Sequence, residues 1–271
     1  MSTLTDPPED GSNFEWISKG NDYIKEGEYE EAIQCFDRVT SIDPEYADAW
    51  MNKGVAFARK REYDEALRCY DRATSIESEN YLLWANKGHA YLEKEEYAEA
   101  IRCFDRAISI NSEYPGTWIN KGAAYDGKGD FDEAIGCYER AISLDPENAG
   151  IWNNTGLAYD GKEEYDKAIW FFDKATSIDA KYVDAWINKG NCYRKKGEYD
   201  EAIRCCEKVL SLDPTDPVAS AMIWASRGMV YRRDVDLTKA EECLEKALDI
   251  FPELSGVEPV LSEVQEELAG P

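Results

Sequence analysis

Histidine is almost absent from this chain: His89 is the single imidazole among 271 residues. No two cysteines are spaced C-x-x-C, although there are eight of them. With one imidazole and no such pair, the usual zinc and redox sites lack ligands, and a serine or cysteine nucleophile lacks the imidazole set it would need. No phosphate-cradling loop is present, since Gly127–Lys128–Gly129 reads as a turn between helices. No stretch approaches 18 consecutive apolar residues, the length at which a bilayer span would be considered. The opening MSTLTDPPEDGSN has neither the basic leader nor the apolar run of a secretory signal. Positive charge is also short: 31 Lys and Arg face 56 Asp and Glu, a formal net charge of −25. A surface of that sign repels nucleic-acid phosphates and anionic membranes, so neither is expected as a partner. Its expected service is solubility. These shortages argue for a chain that is not an enzyme and holds no cofactor, no metal ion and no catalytic residue.

What the chain does have is self-similarity. Shifting the frame of PGTWINKGAAYDGKGDFDEAIGCYERAISLDPEN by 34 residues in either direction restores its skeleton. Trp118 becomes Trp84 or Trp152, Gly122 becomes Gly88 or Gly156, Tyr125 becomes Tyr91 or Tyr159, and Ala134 becomes Ala100 or Ala168. A fixed period of this size denotes stacked supersecondary units and a quasi-linear core. Seven units fit, over 13–46, 47–80, 81–114, 115–148, 149–182, 183–216 and 221–254. The acidic, Pro- and Ser-rich residues 1–12 are expected to be a flexible tail.

Each unit reads as two helices. Trp118, Lys121, Gly122 and Tyr125 stand at i, i+3, i+4 and i+7, one stripe of a helix. Lys121 is expected to lay its stem along that helix and send its charge to water. Lys128–Gly129–Asp130 interrupts the stripe. A second stripe runs through Phe131, Ala134, Ile135, Tyr138, Ala141 and Ile142 until Asp145–Pro146 stops it. The seventh unit fits only after four extra residues, Pro217 to Ser220, about one helical turn. Its first helix is therefore expected to be longer, with Thr215 or Asp216 as cap and Pro217 at the first helical position. Residues 255–271 are expected to hold an amphipathic capping helix, with Val257, Val260, Leu261, Val264 and Leu268 on its apolar face. Cys35, Cys69, Cys103, Cys137 and Cys205 share one repeat position. Equivalent residues of stacked helix pairs lie roughly 10 Å or more apart, whereas a disulfide needs Cα atoms within about 7 Å. They read as buried thiols of a reducing, cytoplasmic setting.

The spacing W-x3-G-x2-Y, then A-x3-F/Y-x2-A, then a closing Pro, resembles the tetratricopeptide repeat family over nearly the whole chain. Ser78, Ser112 and Ala180 depart from the pattern by replacing that Pro. The resemblance implies an all-α fold, a right-handed superhelical α-solenoid of antiparallel helix pairs, with first helices lining a concave groove. It also implies that the protein works by binding protein segments. In that reading the other stripe of each first helix faces the groove. In α-helical register it carries Asn52, Asn86, Asn120, Asn154 and Asn188, two residues after each Trp, with Ser18 and Ser226 at the ends. An amide offers a donor and an acceptor together, so a row of them can pair with a peptide main chain. The row is similar to the asparagine ladders of peptide-binding family members. The alternative is that these Asn only bond neighbouring helices or are inherited filler of the repeat. Met51, Val55, Leu82, Ala85, Ile119, Leu157, Ile187, Met222 and Met229 stand between them as candidate apolar pockets. Arg59, Lys60 and Arg61 form one late cluster of basic residues on these helices. Asn191, Arg194, Lys195, Arg232 and Arg233 form a candidate cationic pocket for an acidic segment or a C-terminus. The Lys of the family's carboxylate clamp is missing, its place taken by Ile17, Met51, Ala85, Ile119, Asn153, Ile187 and Ala225. The expected function is a protein–protein interaction scaffold, a monomer or weak homo-oligomer, gripping an extended peptide or flexible segment. The alternative is a structural or self-assembling spacer that uses its ends or its convex face.

Overall fold

The computed structural model describes residues 12–270. The expectation for residues 1–12 lies outside them except at Ser12, which caps the first helix with its side chain and exchanges a capping-box bond with Glu15. Among the described residues there are fifteen helices and no strand. In the first compact unit, which ends at Leu144, α1 (Asn13–Glu26), α2 (Tyr29–Ile42), α3 (Ala47–Arg59) and α4 (Tyr63–Ile76) are followed by α5 (Tyr81–Glu93), α6 (Tyr97–Ile110), α7 (Pro115–Lys128) and α8 (Phe131–Leu144). In the second, which begins at Asp145, come α9 (Ala149–Gly161), α10 (Tyr165–Ile178), α11 (Val183–Lys196), α12 (Tyr199–Leu212), α13 (Pro217–Arg233), α14 (Leu237–Ile250) and α15 (Glu258–Ala269).

Short turns join the helices, and their chemistry follows the sequence. Gly27, Gly129 and Gly197 end α1, α7 and α11 in the left-handed conformation, with φ of 84°, 80° and 80°. Arg61, Glu95, Glu163 and Val235 take comparable positive φ after α3, α5, α9 and α13, where no glycine is available. The repeated tryptophan holds the turn before its own helix. The indole N–H of Trp50, Trp84, Trp118, Trp152 and Trp186 donates to the carbonyl of Pro44, Ser78, Ser112, Pro146 and Ala180, six residues back. The acceptor is main chain. The closing Pro can therefore be lost at Ser78, Ser112 and Ala180 without losing the bond.

Within the first five pairs the first helix presents a glycine to an aromatic ring of the second, and within the seventh Gly228 faces Leu244. A Cβ added at Gly54, Gly88 or Gly122 would fall 2.5–2.6 Å from Tyr70, Phe104 or Tyr138, and at Gly156 2.6 Å from Phe172. Those rings are at most 2% exposed. The sixth pair has Cys206 where the first five have a ring. Met222, from the lengthened 17-residue α13, is fully buried and its Cε would lie 3.3 Å from a Cβ at Gly190. Met222 thus packs beside Gly190 in the pair that lacks the ring. This corrects the expectation that Met222 lines a groove. Asp216 caps α13, accepting from Ala219 N–H at 2.7 Å, with Pro217 in the first turn.

Lys121 does not release its charge to water. Its Nζ meets Asp105 at 2.6 Å over the rings of Trp118 and Tyr125, and Lys53–Asp37, Lys87–Asp71 and Lys189–Asp173 repeat the bond at 2.5–2.6 Å. Each pair ties a first helix to the second helix of the preceding repeat. The eight cysteines are free and buried, and desolvation pushes Cys69, Cys103 and Cys205 up to about 11 and Cys206 up to about 12. The second unit closes on α15, which packs Val257, Val260, Leu261 and Val264 against the α13–α14 core, while Leu268 stays exposed.

Candidate functional site

With the Trp and Gly stripe of the first helices committed to the pair, and Lys53, Lys87, Lys121 and Lys189 to the preceding repeat, the stripe carrying asparagine remains. Asn52 on α3, Asn86 on α5 and Asn120 on α7 are half-buried in the first unit, as are Asn154 on α9 and Asn188 on α11 in the second. Four of these amides, those of Asn52, Asn86, Asn120 and Asn154, make no hydrogen bond among the described residues. Asn188 differs: its amide nitrogen donates to Asn153 Oδ1 at 3.0 Å, and Asn153 is itself buried. Here the structural alternative holds, with one amide bonding a neighbouring helix. The partner had a signal in the sequence. Asn153 occupies a position that is apolar in every other repeat, Ile17, Met51, Ala85, Ile119, Ile187 and Ala225. At the ends of the row, Ser226 is fully buried.

In the first unit the stripe opens into a cleft of about 410 Å3. Val55 and Ala58 of α3 and Tyr70 of α4 give it an apolar wall. Asn86, His89 and Glu93 of α5 stand opposite, with Arg59, Arg61 and Tyr63 at the rim. Tyr63 donates its hydroxyl to Glu93 at 3.1 Å, and burial, then that carboxylate, pushes the phenol above its ordinary value. Arg59 and Arg61 are exposed and pair with no carboxylate among the described residues. In a chain of net charge −25, two unclaimed guanidiniums beside an unbonded amide are the local exception. His89 is half exposed, 3.9 Å from Glu93, and neighbours no nucleophile in this cleft.

The expected cationic pocket of the second unit is built differently. Lys195 gives its ammonium to both oxygens of Asp160 at 2.7 Å. The Cys192 thiol bonds the same carboxylate at 3.4 Å. Arg232 bonds Glu263 at 2.8 Å and Glu267 at 2.6 Å, both on α15, and these bonds raise the guanidinium above its ordinary value. Arg233 meets Asp234 at 3.2 Å on the exposed side. Arg194 lies beside the start of α15, in a cavity of about 50 Å3 with Tyr199, Ala225, Met229, Val257 and Val260. Its Nε is buried without a bond, and desolvation lowers its affinity for a proton. The chain's own carboxylates and its C-terminal helix thus engage Lys195 and Arg232, and the five residues do not converge on an open pocket. Asn191 is half-buried on α11, and its side-chain amide makes no hydrogen bond among the described residues. The sequence contained these acidic partners, but a 34-residue alignment shows positions within a repeat and hides neighbours across repeats.

Among the described residues no three His, Cys, Asp or Glu side chains converge as metal ligands. No described helix is long and apolar enough to cross a membrane.

Paired helices in tandem, with unbonded amides on the first helices of the second to fifth pairs, define an α-solenoid of the interaction type. The chain belongs to the tetratricopeptide repeat family: the family's repeat matches residues 47–80, 81–114, 115–148 and 183–216, and related repeat descriptions match 20–61, 137–169 and 222–254. The structure of the C-terminal part of a repeat protein from Cytophaga hutchinsonii is similar over 90% of this chain and 98% of that one, at 17% identity and a TM-score of 0.72. MamA is similar over 62% of this chain and 92% of its own, at 25% identity and a TM-score of 0.57. YrrB is similar over 68% and 95%, at 23% identity and a TM-score of 0.56. No curated protein matches the chain. No enzyme family is indicated, and membership makes the chain a protein-interaction scaffold.

Proposed function

We propose that the protein holds an extended peptide or flexible protein segment along its first helices, as a cytoplasmic scaffold. In the first unit Asn52, Asn86 and Asn120 pair with main-chain groups of the segment, and in the second Asn154 does so. The observation that carries this reading is the cleft around Asn86, where an amide without a protein partner meets an apolar wall and two unpaired arginines. These half-buried amides keep their donors and acceptors open to solvent, so a ligand's N–H and C=O groups can take the place of water along the row. Arg59 and Arg61 favour a carboxylate at that point of the segment. Lys195 and Arg232 are engaged by Asp160, Glu263 and Glu267, so Arg59 and Arg61 carry the acidic preference in this reading. YrrB, whose fold is similar, is described as having an unusual peptide-binding site, in keeping with this use of the fold.

The test is selection from a library of random 12-residue peptides displayed on phage. Wild-type protein is expected to enrich peptides whose binding falls at least tenfold on joint replacement of Asn52, Asn86 and Asn120 by Ala, about the loss of one or two hydrogen bonds in a desolvated groove. Equal binding by a folded triple variant overturns the ladder.

A second reading has one observation in its favour. Trp170 on α10 is 50% exposed and packs edge-on to Phe171, with Lys174 over its ring. Other repeats carry Gln34, Arg68, Arg102, Gly136 or Arg204 at this position. Self-association through that face would appear in light scattering as a mass that rises with concentration and falls in a Trp170→Arg variant.

A further inference from the structure

One carboxyl of the first unit lacks what its twin in the second unit has. Counting along the repeats, Ile24, Ala58 and Leu92 hold a position late in the first helix that passes to Asp126 on α7 and Asp160 on α9. Asp160 shows what a carboxylate at this position takes, an ammonium on both oxygens at 2.7 Å, supplied by Lys195. No cation takes this role for Asp126 among the described residues. Asp126 is half-buried, and its Oδ1 is closed to solvent without a hydrogen bond. The Tyr138 ring of α8 lies close enough to sense its charge, yet the hydroxyl does not bond to it. Desolvation alone accounts for the upward displacement of the Asp126 proton affinity; no cation acts against it.

The surroundings are those of a ligand-facing position. Ala58, at the same place in its repeat, lines the cleft around Asn86, and so does Tyr70, the counterpart of Tyr138. Asn120, with its unbonded amide, lies on the same helix as Asp126. Gly127, next in the chain, has room for no Cβ: one would fall 2.6 Å from the Tyr97 ring. Of the two Asp126 oxygens, only Oδ1 is closed to solvent without a bond.

We propose that Asp126 receives a lysine or arginine side chain of the bound segment, an ammonium or guanidinium from outside in the role that Lys195 plays for Asp160. The proposal rests on the peptide-holding reading above and adds the chemical class of one side chain of the ligand. A half-buried carboxylate without a partner costs free energy in the empty protein, and a cation from the ligand removes that cost on binding. The carboxylate then rejects ligands that place an acidic or apolar group there.

The test uses the full chain and the same random 12-residue phage library, with circular dichroism to establish that the Asp126→Asn variant is folded. Wild type is expected to enrich peptides with Lys or Arg at one fixed place. A chosen peptide should lose about tenfold or more in affinity when that residue becomes Gln, and about as much when the protein carries Asp126→Asn. The two changes together should cost little more than either alone, the signature of one shared contact. Enrichment without a basic residue, or full affinity for the Asn variant, overturns this proposal and leaves the Asn row standing. Enrichment of no peptide by wild type overturns the peptide-holding reading and this proposal with it.

Discussion

At the scale of single residues, the chain spends polar groups in two ways. Lys53, Lys87, Lys121 and Lys189 are used structurally, each held between a carboxylate of the preceding repeat and the aromatic rings of its own helix. Asp126 is not, and its cost should be measurable. Its proton affinity is raised in the folded protein. Below the ordinary carboxylate range, about pH 4, both folded and unfolded chains carry the proton and the residue is neutral in its effect. As pH rises through the window between the unfolded and the folded value, the folded state holds more protons and stability falls. Above that window the whole cost is present. Asp126→Asn removes the charge while keeping the shape. At pH 7 the variant is expected to be more stable by about 0.5–1 kcal/mol, the lower end for a polar group left unpaired, because half the residue still meets solvent. The advantage should vanish towards pH 3–4. Urea unfolding of both proteins across that range measures it; a constant difference at all pH values would show that charge burial is not the cause.

At the scale of the helix pair, the decisive contact is a glycine against a ring. Gly122→Ala pushes a methyl to 2.5 Å from Tyr138, whose ring is enclosed. Overpacking of this kind costs about 1–3 kcal/mol, against roughly 1 kcal/mol gained in helix propensity, so the variant is expected to lose about 1–2 kcal/mol. Gly190→Ala meets nothing nearer than 3.3 Å, and one of its neighbours is the flexible end of Met222. There the propensity gain offsets the crowding and the change should be near neutral. Thermal unfolding of the two variants separates these outcomes. In the same way Val264→Ala, in a fully buried position of α15, is expected to cost roughly 1–3 kcal/mol, and Leu268→Ala, exposed on the same helix, almost nothing. These pairs show how far the sequence can be read. The period displayed the helices and the lengthened α13. It did not display which atoms meet between repeats. Lys121 stands near Trp118 on a helical wheel, but its carboxylate partner is Asp105, 16 residues earlier. Arg194 and Arg232 look like a cationic surface until α15 is placed over them. Asn188 looks like Asn120 until Asn153 takes its donor.

At the scale of the whole molecule, charge is the dominant fact. A formal charge of −25 over 271 residues sets carboxylates against one another throughout, and self-repulsion of this kind destabilises a folded chain. Salt acts on it and on the Lys–Asp contacts in opposite directions. The separation of the charges decides which effect prevails. The screening length falls from about 30 Å at 0.01 M salt to about 8 Å at 0.15 M. Repulsions spread over tens of ångströms are therefore largely lost, while the Lys–Asp pairs, at 2.5–2.6 Å, lie far inside either length. Their lysines are also only 14–15% exposed, which limits screening further. The midpoint of thermal unfolding is accordingly expected to rise as sodium chloride is raised from 10 to about 150 mM at pH 7. A midpoint that falls would mean that attraction between contacting pairs outweighs the long-range repulsion. The same reasoning fixes the sign for ligands. An acidic segment drawn to Arg59 and Arg61 must approach through the repulsive field of the rest of the chain. Added salt should speed its association, whereas it should slow a basic segment bound for Asp126. Stopped-flow association of two fluorescent peptides, one of each charge, at two salt concentrations compares these directions within a single protein.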